Sequence, residues 1–109
     1  MNELKMIKKL NQDAVLLSID GEIDIFNIGK VREQLVQLTD GFKEVQIDMK
    51  NLNFIDSTGL GMLIGLVRDL KGKNGSVVLI NPRPQVMRLL ETTGLNTVFE
   101  VRRGDESIA

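Results

Sequence analysis

Cysteine and histidine are both absent from the 109 residues. Without them the chain has no disulfide framework, no thiolate nucleophile, no zinc site of the usual kind and no imidazole base. Most routes to catalysis are closed, so no enzyme activity, metal or cofactor is expected. Long apolar runs are missing too, and the start, Met1 to Lys9, carries three lysines. Neither a signal peptide nor a membrane anchor is expected, which points to the cytoplasm. Nor is there an excess of one charge: 14 Lys and Arg stand against 15 Asp and Glu, for a net charge of -1. A general nucleic-acid binder would show a basic face or tail, so nucleic acid is not an expected partner. Gly59 to Gly65 fails as a dinucleotide fingerprint, because Ile64 stands where the third glycine belongs and Asn81, not an acid, follows the next strand. No phosphate-cradling G-x-x-x-x-G-K-[ST] loop occurs either.

The residues present suit a small α/β domain spanning 1–109. Hydrophobic content is 42% and charged content 27%, ordinary values for a globular chain. Its length suffices for one core that buries roughly two thirds of the unfolded surface. Leu4 to Leu10 alternates loosely, and Val15, Leu17 and Ile19 share one face of a second stretch, with Asn11-Gln12-Asp13 as turn chemistry between them. These predict an antiparallel strand pair at one edge. From Ile25 to Leu38 the apolar residues Ile28, Val31, Leu35 and Leu38 fall at helical spacing, with Asp24 as the expected cap. Val45 to Met49 alternates as a strand, and Asn51 to Ile55 reads as a turn.

Leu60, Leu63, Ile64, Val67 and Leu70 then give a second helical stripe, widened by Met62 and Leu66, so this helix is expected to be the most buried. Gly61 and Gly65, one turn apart, predict a close backbone approach. Ser76 to Ile80 reads as an inner parallel strand. A third helix starts around Pro82 and Pro84, which sit just before or in its first turn, and ends at Gly94, with Leu95 packing back on Leu90. Val98 to Val101 is a short last strand, followed by a polar tail. The expected fold is therefore a small mixed sheet with an antiparallel N-terminal edge, parallel inner strands and helices packed on it. The scattered basic residues read as a solvated face and the five methionines as core filling, Met62 being the one to check for exposure.

One stretch stands out: Phe54-Ile55-Asp56-Ser57-Thr58-Gly59-Leu60-Gly61, a hydroxyl pair between an apolar strand ending and a glycine-rich helix beginning. Asp56 is a good helix N-cap, because its carboxylate can accept from the unpaired N–H groups of the first turn. Ser57 falls in that turn, where the positive end of the helix dipole would stabilise a phosphate on its hydroxyl. On the motif alone two readings stand: ordinary helix-start hydroxyls, or a phosphoacceptor. Thr58 reads as a first-turn hydroxyl bonding locally, and Asp56 as a cap rather than a general base. Glu22 and Asp24, at the end of an early strand, are either turn and cap residues or an acidic pair on the same sheet edge as Ser57.

Asp56-Ser57-Thr58-Gly59-Leu60-Gly61, Gly21-Glu22-Ile23-Asp24 and the run from Pro82 to Glu91-Thr92-Thr93-Gly94-Leu95 occur in an order and at a spacing that resemble the STAS domains of bacterial anti-sigma factor antagonists. The resemblance runs over roughly the whole chain and implies a STAS fold. It further implies that Ser57 is phosphorylated by an anti-sigma factor with serine kinase activity, and that a PP2C-type phosphatase reverses the step. The implied partner-binding face comprises Glu22, Asp24, Asp56, Ser57, Thr58, Gly59, Leu60, Gly61 and Met62. The unmodified chain, a monomer with no membrane contact, would bind the anti-sigma factor and release a sigma factor. An alternative is a non-phosphorylated STAS scaffold, for instance an accessory subunit of a membrane transport complex, since one fold hosts several functions.

Overall fold

A computed structural model describes residues 5–11 and 14–104. Gln12 and Asp13 of the expected first turn, and the tail beyond Gly104, lie outside the described residues. Strand β1 (Lys5–Asn11) pairs antiparallel with β2 (Ala14–Ile23), Lys5 opposite Asp20 and Asn11 opposite Ala14. Helix α1 (Ile28–Thr39) then leads to β3 (Glu44–Asp48), which lies parallel to β2 with Val45 opposite Val15. Strand β4 (Leu52–Ile55) and helix α2 (Ser57–Lys71) follow, then β5 (Ser76–Ile80), helix α3 (Pro84–Thr93), a 3-10 turn (Leu95–Thr97) and β6 (Glu100–Arg102). The sheet runs β1-β2-β3-β5-β6, with β3, β5 and β6 in parallel register.

On the edge away from β1, the ten residues of β2 serve two neighbours. Its first half pairs with β3, and its last three residues pair with β4, Glu22 opposite Phe54 and Ile23 opposite Ile55, after a register shift at Gly21. Gly21 has φ +118, a backbone state that a side chain would strain, and its N–H donates to the Asn51 carbonyl at 3.1 Å. The bend carries β2 out of the main ladder towards α2. The stretch 51–55, expected as a turn, is therefore mostly strand. Its partner lies about thirty residues back, a long-range pairing that leaves no mark on four residues read alone.

Alternation along β2 puts Val15, Leu17, Ile19 and Ile23 on one face, where they meet Val45, Ile47 and Leu79 from neighbouring strands. All three helices pack into that cluster: Val31 and Leu35 from α1, Leu60, Leu63, Val67 and Leu70 from α2, Val86 and Leu90 from α3. Helix α2 buries six residues, α1 three and α3 two, so α2 is the central helix as expected. The opposite sheet face carries a small second cluster of Leu16, Val78 and Ile80 beside the buried Gln46 and Asp48. Helix α3 ends on Gly94 in the left-handed region (φ +77), with Leu95 packed against the core. Val98 continues the 3-10 turn, so the last strand begins at Glu100, two residues later than expected.

The close approach foreseen at Gly61 and Gly65 does not occur. Open space faces both, and they border a shallow hollow of about 260 Å³ between α1 and α2. The tight contact is at Gly59, where an added Cβ would lie 2.6 Å from Ile55 Cγ1 and 2.8 Å from Ile23 Cγ2. Only glycine lets α2 begin directly against the ends of β2 and β4.

Candidate functional site

Two loops meet at one end of the sheet, one between β2 and α1 and the other between β4 and α2. Asp56 joins them. In extended conformation at the N-cap of α2 (φ -98, ψ -178), it accepts from the Gly59 N–H through Oδ1 at 2.9 Å. Its Oδ2 accepts from the Ile25 N–H at 3.0 Å, and its own N–H donates to the Ile23 carbonyl at 3.2 Å. The expected cap is present, and the second oxygen makes a link that spans 31 positions of the chain. A carboxylate accepting two backbone donors is well used as a fixed acceptor.

Ser57 is the first residue of α2 and is exposed, and Thr58 behind it is half-buried. Ser57 thus lies in the first turn of a 15-residue helix, in the positive field of its N-terminus. Gly59 is buried and Gly61 is exposed. Leu60 and Met62, two residues of the expected partner-binding face, are core residues, 2% and 7% exposed. At 3.6 residues per turn Leu60 faces the sheet, Met62 lies on the side turned towards α1, and Ser57 and Gly61 lie on the exposed side. Met62 is a gap-filling core residue rather than a surface one.

Asp24 does not cap α1, which begins at Ile28 with Asn27 at its N-cap position and no side-chain cap bond. Instead, Asp24 Oδ1 accepts from the N–H groups of Phe26 and Asn27 at 2.9 and 3.1 Å, while Asn27 Oδ1 accepts from the Asp24 N–H at 3.0 Å. The Asn27 amide also donates to the Glu22 carbonyl at 2.8 Å. This reciprocal closure makes residues 22–27 a rigid loop in front of the helix. Glu22, opposite Phe54 in the β2–β4 pairing, is half-buried. Glu22, Asp24, Asp56 and Ser57 are therefore brought to one sheet end, as their positions on strand ends suggested.

Three residues of this end escaped sequence reasoning. Phe26 is 93% exposed, Ile25 63% and Phe54 47%. Ile25 reads as the start of a helical stripe, and Phe54 as the end of an apolar strand turning into the α2 start, and neither reading exposes the residue. The available signal was the position of apolar residues directly beside Asp24 and Asp56, where a core-facing stripe has not yet begun. Among the described residues no group of three or more Asp, Glu, His or Cys could hold a metal ion. No helix among them is long and apolar enough to cross a membrane.

A family profile described as STAS domain matches residues 5–107. The chain belongs to the STAS-domain family. The anti-sigma-B factor antagonist of Bacillus subtilis (strain 168) is 33% identical to this STAS protein over 98 residues, covering 90% of each chain. Among solved structures, the anti-sigma factor antagonist SpoIIAA in its unphosphorylated form superposes with a TM-score of 0.79 at 22% identity, covering 95% of this chain and 90% of that one. The phosphorylated form of the Bacillus cell fate determinant SpoIIAA gives 0.72 at 21% identity, covering 95% and 93%. These two neighbours share the STAS fold with the present chain.

Proposed function

We propose that this STAS protein is an anti-sigma factor antagonist, acting in the cytoplasm as a single domain and switched by phosphorylation of Ser57. The observation that carries the reading is the exposed seat of Ser57 at the first position of α2, capped by Asp56 and flanked by the rigid loop 22–27. The relatives' printed roles as anti-sigma-B factor antagonists and the neighbour solved in a phosphorylated form point the same way.

In the unmodified state the loop face docks onto an anti-sigma factor, which then releases its sigma factor. The anti-sigma factor is also the kinase. The Ser57 oxygen attacks the γ-phosphorus of ATP, a new O–P bond forms, the bond to ADP breaks, and the hydroxyl proton passes to a base on the kinase. A PP2C-type phosphatase hydrolyses the ester and restores the binding form. The switch works by charge: a phosphoserine adds about -1.5 to -2 next to Glu22, Asp24 and Asp56. An interface built for the neutral hydroxyl then encloses unpaired negative charge, which costs several kcal/mol. The fold itself is spared, since the α2 N-terminus stabilises the phosphate. Thr58 and Gly61 complete the face beside Ser57.

The direct test is incubation with the host's kinase-type anti-sigma factor and Mg-ATP, followed by peptide mapping. One phosphoryl group on Ser57 is expected. Absence of modification, or modification confined to Thr58, overturns the reading, and the first of these results also leaves room for a non-phosphorylated STAS scaffold.

A further inference from the structure

The chain has four aromatic residues, all phenylalanine. Phe99 is buried and Phe42 packs against the core, whereas Phe26 and Phe54 are exposed at the same sheet end, with Ile25 between Asp24 and Phe26. Half of the aromatic content thus faces solvent around one serine. Burial of such a side chain is worth about 1.5–3 kcal/mol, so leaving Phe26 bare forgoes stability that the fold could have used. Nothing in loop mobility accounts for it, because the Asp24–Asn27 closure and the Ile25–Asp56 bond hold both loops in place. Residues 20–27 and 53–63 also contain Asp20, Glu22, Asp24 and Asp56 but neither Lys nor Arg, although the chain as a whole is nearly neutral.

From this juxtaposition we infer that Ile25, Phe26 and Phe54 are the anchors of the partner interface, inserted into an apolar pocket on the anti-sigma factor that is rimmed by cationic side chains. The inference rests on the anti-sigma antagonist reading and adds where the binding energy comes from. Aromatic side chains, with only two rotatable bonds to immobilise, are the usual hot spots of protein interfaces, and the surrounding carboxylates select a partner of opposite charge and speed encounter. Phosphorylation then acts through charge at the closed contact. The partner's cations are matched to the carboxylates, so a phosphate at Ser57 has no counter-charge and holds the two surfaces apart while Phe26 is still exposed.

The test is calorimetric titration of the host's kinase-type anti-sigma factor, loaded with Mg-ADP, with the full chain and its Phe26→Ala, Ile25→Ala and Val36→Ala variants. Val36 is 62% exposed on α1 and serves as the control for removing any exposed apolar side chain. Phe26→Ala is expected to weaken binding at least about tenfold and Ile25→Ala about threefold, with Val36→Ala within about twofold of the wild type. Thermal unfolding should be unchanged in all three, since none of these side chains is buried. Wild-type affinity should also fall as NaCl is raised from low to high concentration, as expected for opposite charges across the contact. If the wild type binds and Phe26→Ala binds equally well, the anchor is wrong and the antagonist reading stands. Affinity that is unaffected by salt overturns the cationic rim. If neither wild type nor Ser57→Ala binds the anti-sigma factor, the antagonist reading fails and the anchor falls with it.

Discussion

Asp56 carries two structural duties with one carboxylate, capping α2 through Gly59 and tying down the loop before α1 through Ile25. Replacing it by alanine removes both bonds at once. Loss of a cap costs about 1 kcal/mol, and the second bond to the charged oxygen adds about as much. Asp56→Ala should therefore lower stability by about 2 kcal/mol in urea unfolding, and a loss below about 0.5 kcal/mol would show that the loop is held by other means. Asp56→Asn keeps acceptor geometry at one oxygen and should lie between the two. Substitution of Ser57 behaves differently, because its side chain is exposed. Ser57→Ala should unfold like the wild type and bind the anti-sigma factor whether or not Mg-ATP is present. Asp56 and Ser57 are legible in the sequence because a cap depends on its next three residues alone. Phe26 was not, since apolar residues at helical spacing look alike whether they start a stripe or precede it.

At the scale of elements, helix α2 shows how two kinds of glycine differ. Gly59 lies against Ile55 and Ile23 at distances that no real Cβ tolerates. Gly59→Ala should force β2, β4 and α2 apart at their shared end and cost about 1–3 kcal/mol, read as a fall in the urea midpoint. Gly65 faces open space in mid-helix. Gly65→Ala should raise stability by up to about 1 kcal/mol, because alanine loses less backbone freedom on entering a helix. A destabilised Gly65→Ala would mean that the hollow between α1 and α2 is tighter than it stands here. The sequence could not separate these glycines: identity and spacing are the same, and only the neighbouring strands decide. Strand β4 is legible only as an apolar strand end at Phe54-Ile55, for a related reason. Leu52-Asn53-Phe54-Ile55 is short, its two central residues are exposed, and its pairing partner is distant. Helices α2 and α3 and strands β3 and β5 were readable because each carries its own period or apolar run, closed by glycine, proline or turn residues. Helix α1 starts three residues later than its apolar pattern suggests, since Ile25 and Phe26 prolong that pattern across a loop that Asp24 and Asn27 close by themselves.

For the molecule as a whole, the STAS fold sets a sheet under two short loops, and the proposed regulation is a change of charge on that mounting. Phosphorylation should leave circular dichroism and the unfolding midpoint of the chain nearly unchanged, since the added phosphate meets a helix N-terminus that favours it. A large shift in either would mean that the switch reshapes the domain. The measurement that bears most directly on the account is one calorimetric titration at fixed salt, comparing the unmodified chain with the same chain quantitatively phosphorylated at Ser57, both against the Mg-ADP-loaded anti-sigma factor. A charge penalty of about 3 kcal/mol predicts at least a roughly hundredfold weaker complex for the phosphorylated form. Equal affinities for the two forms would contradict it.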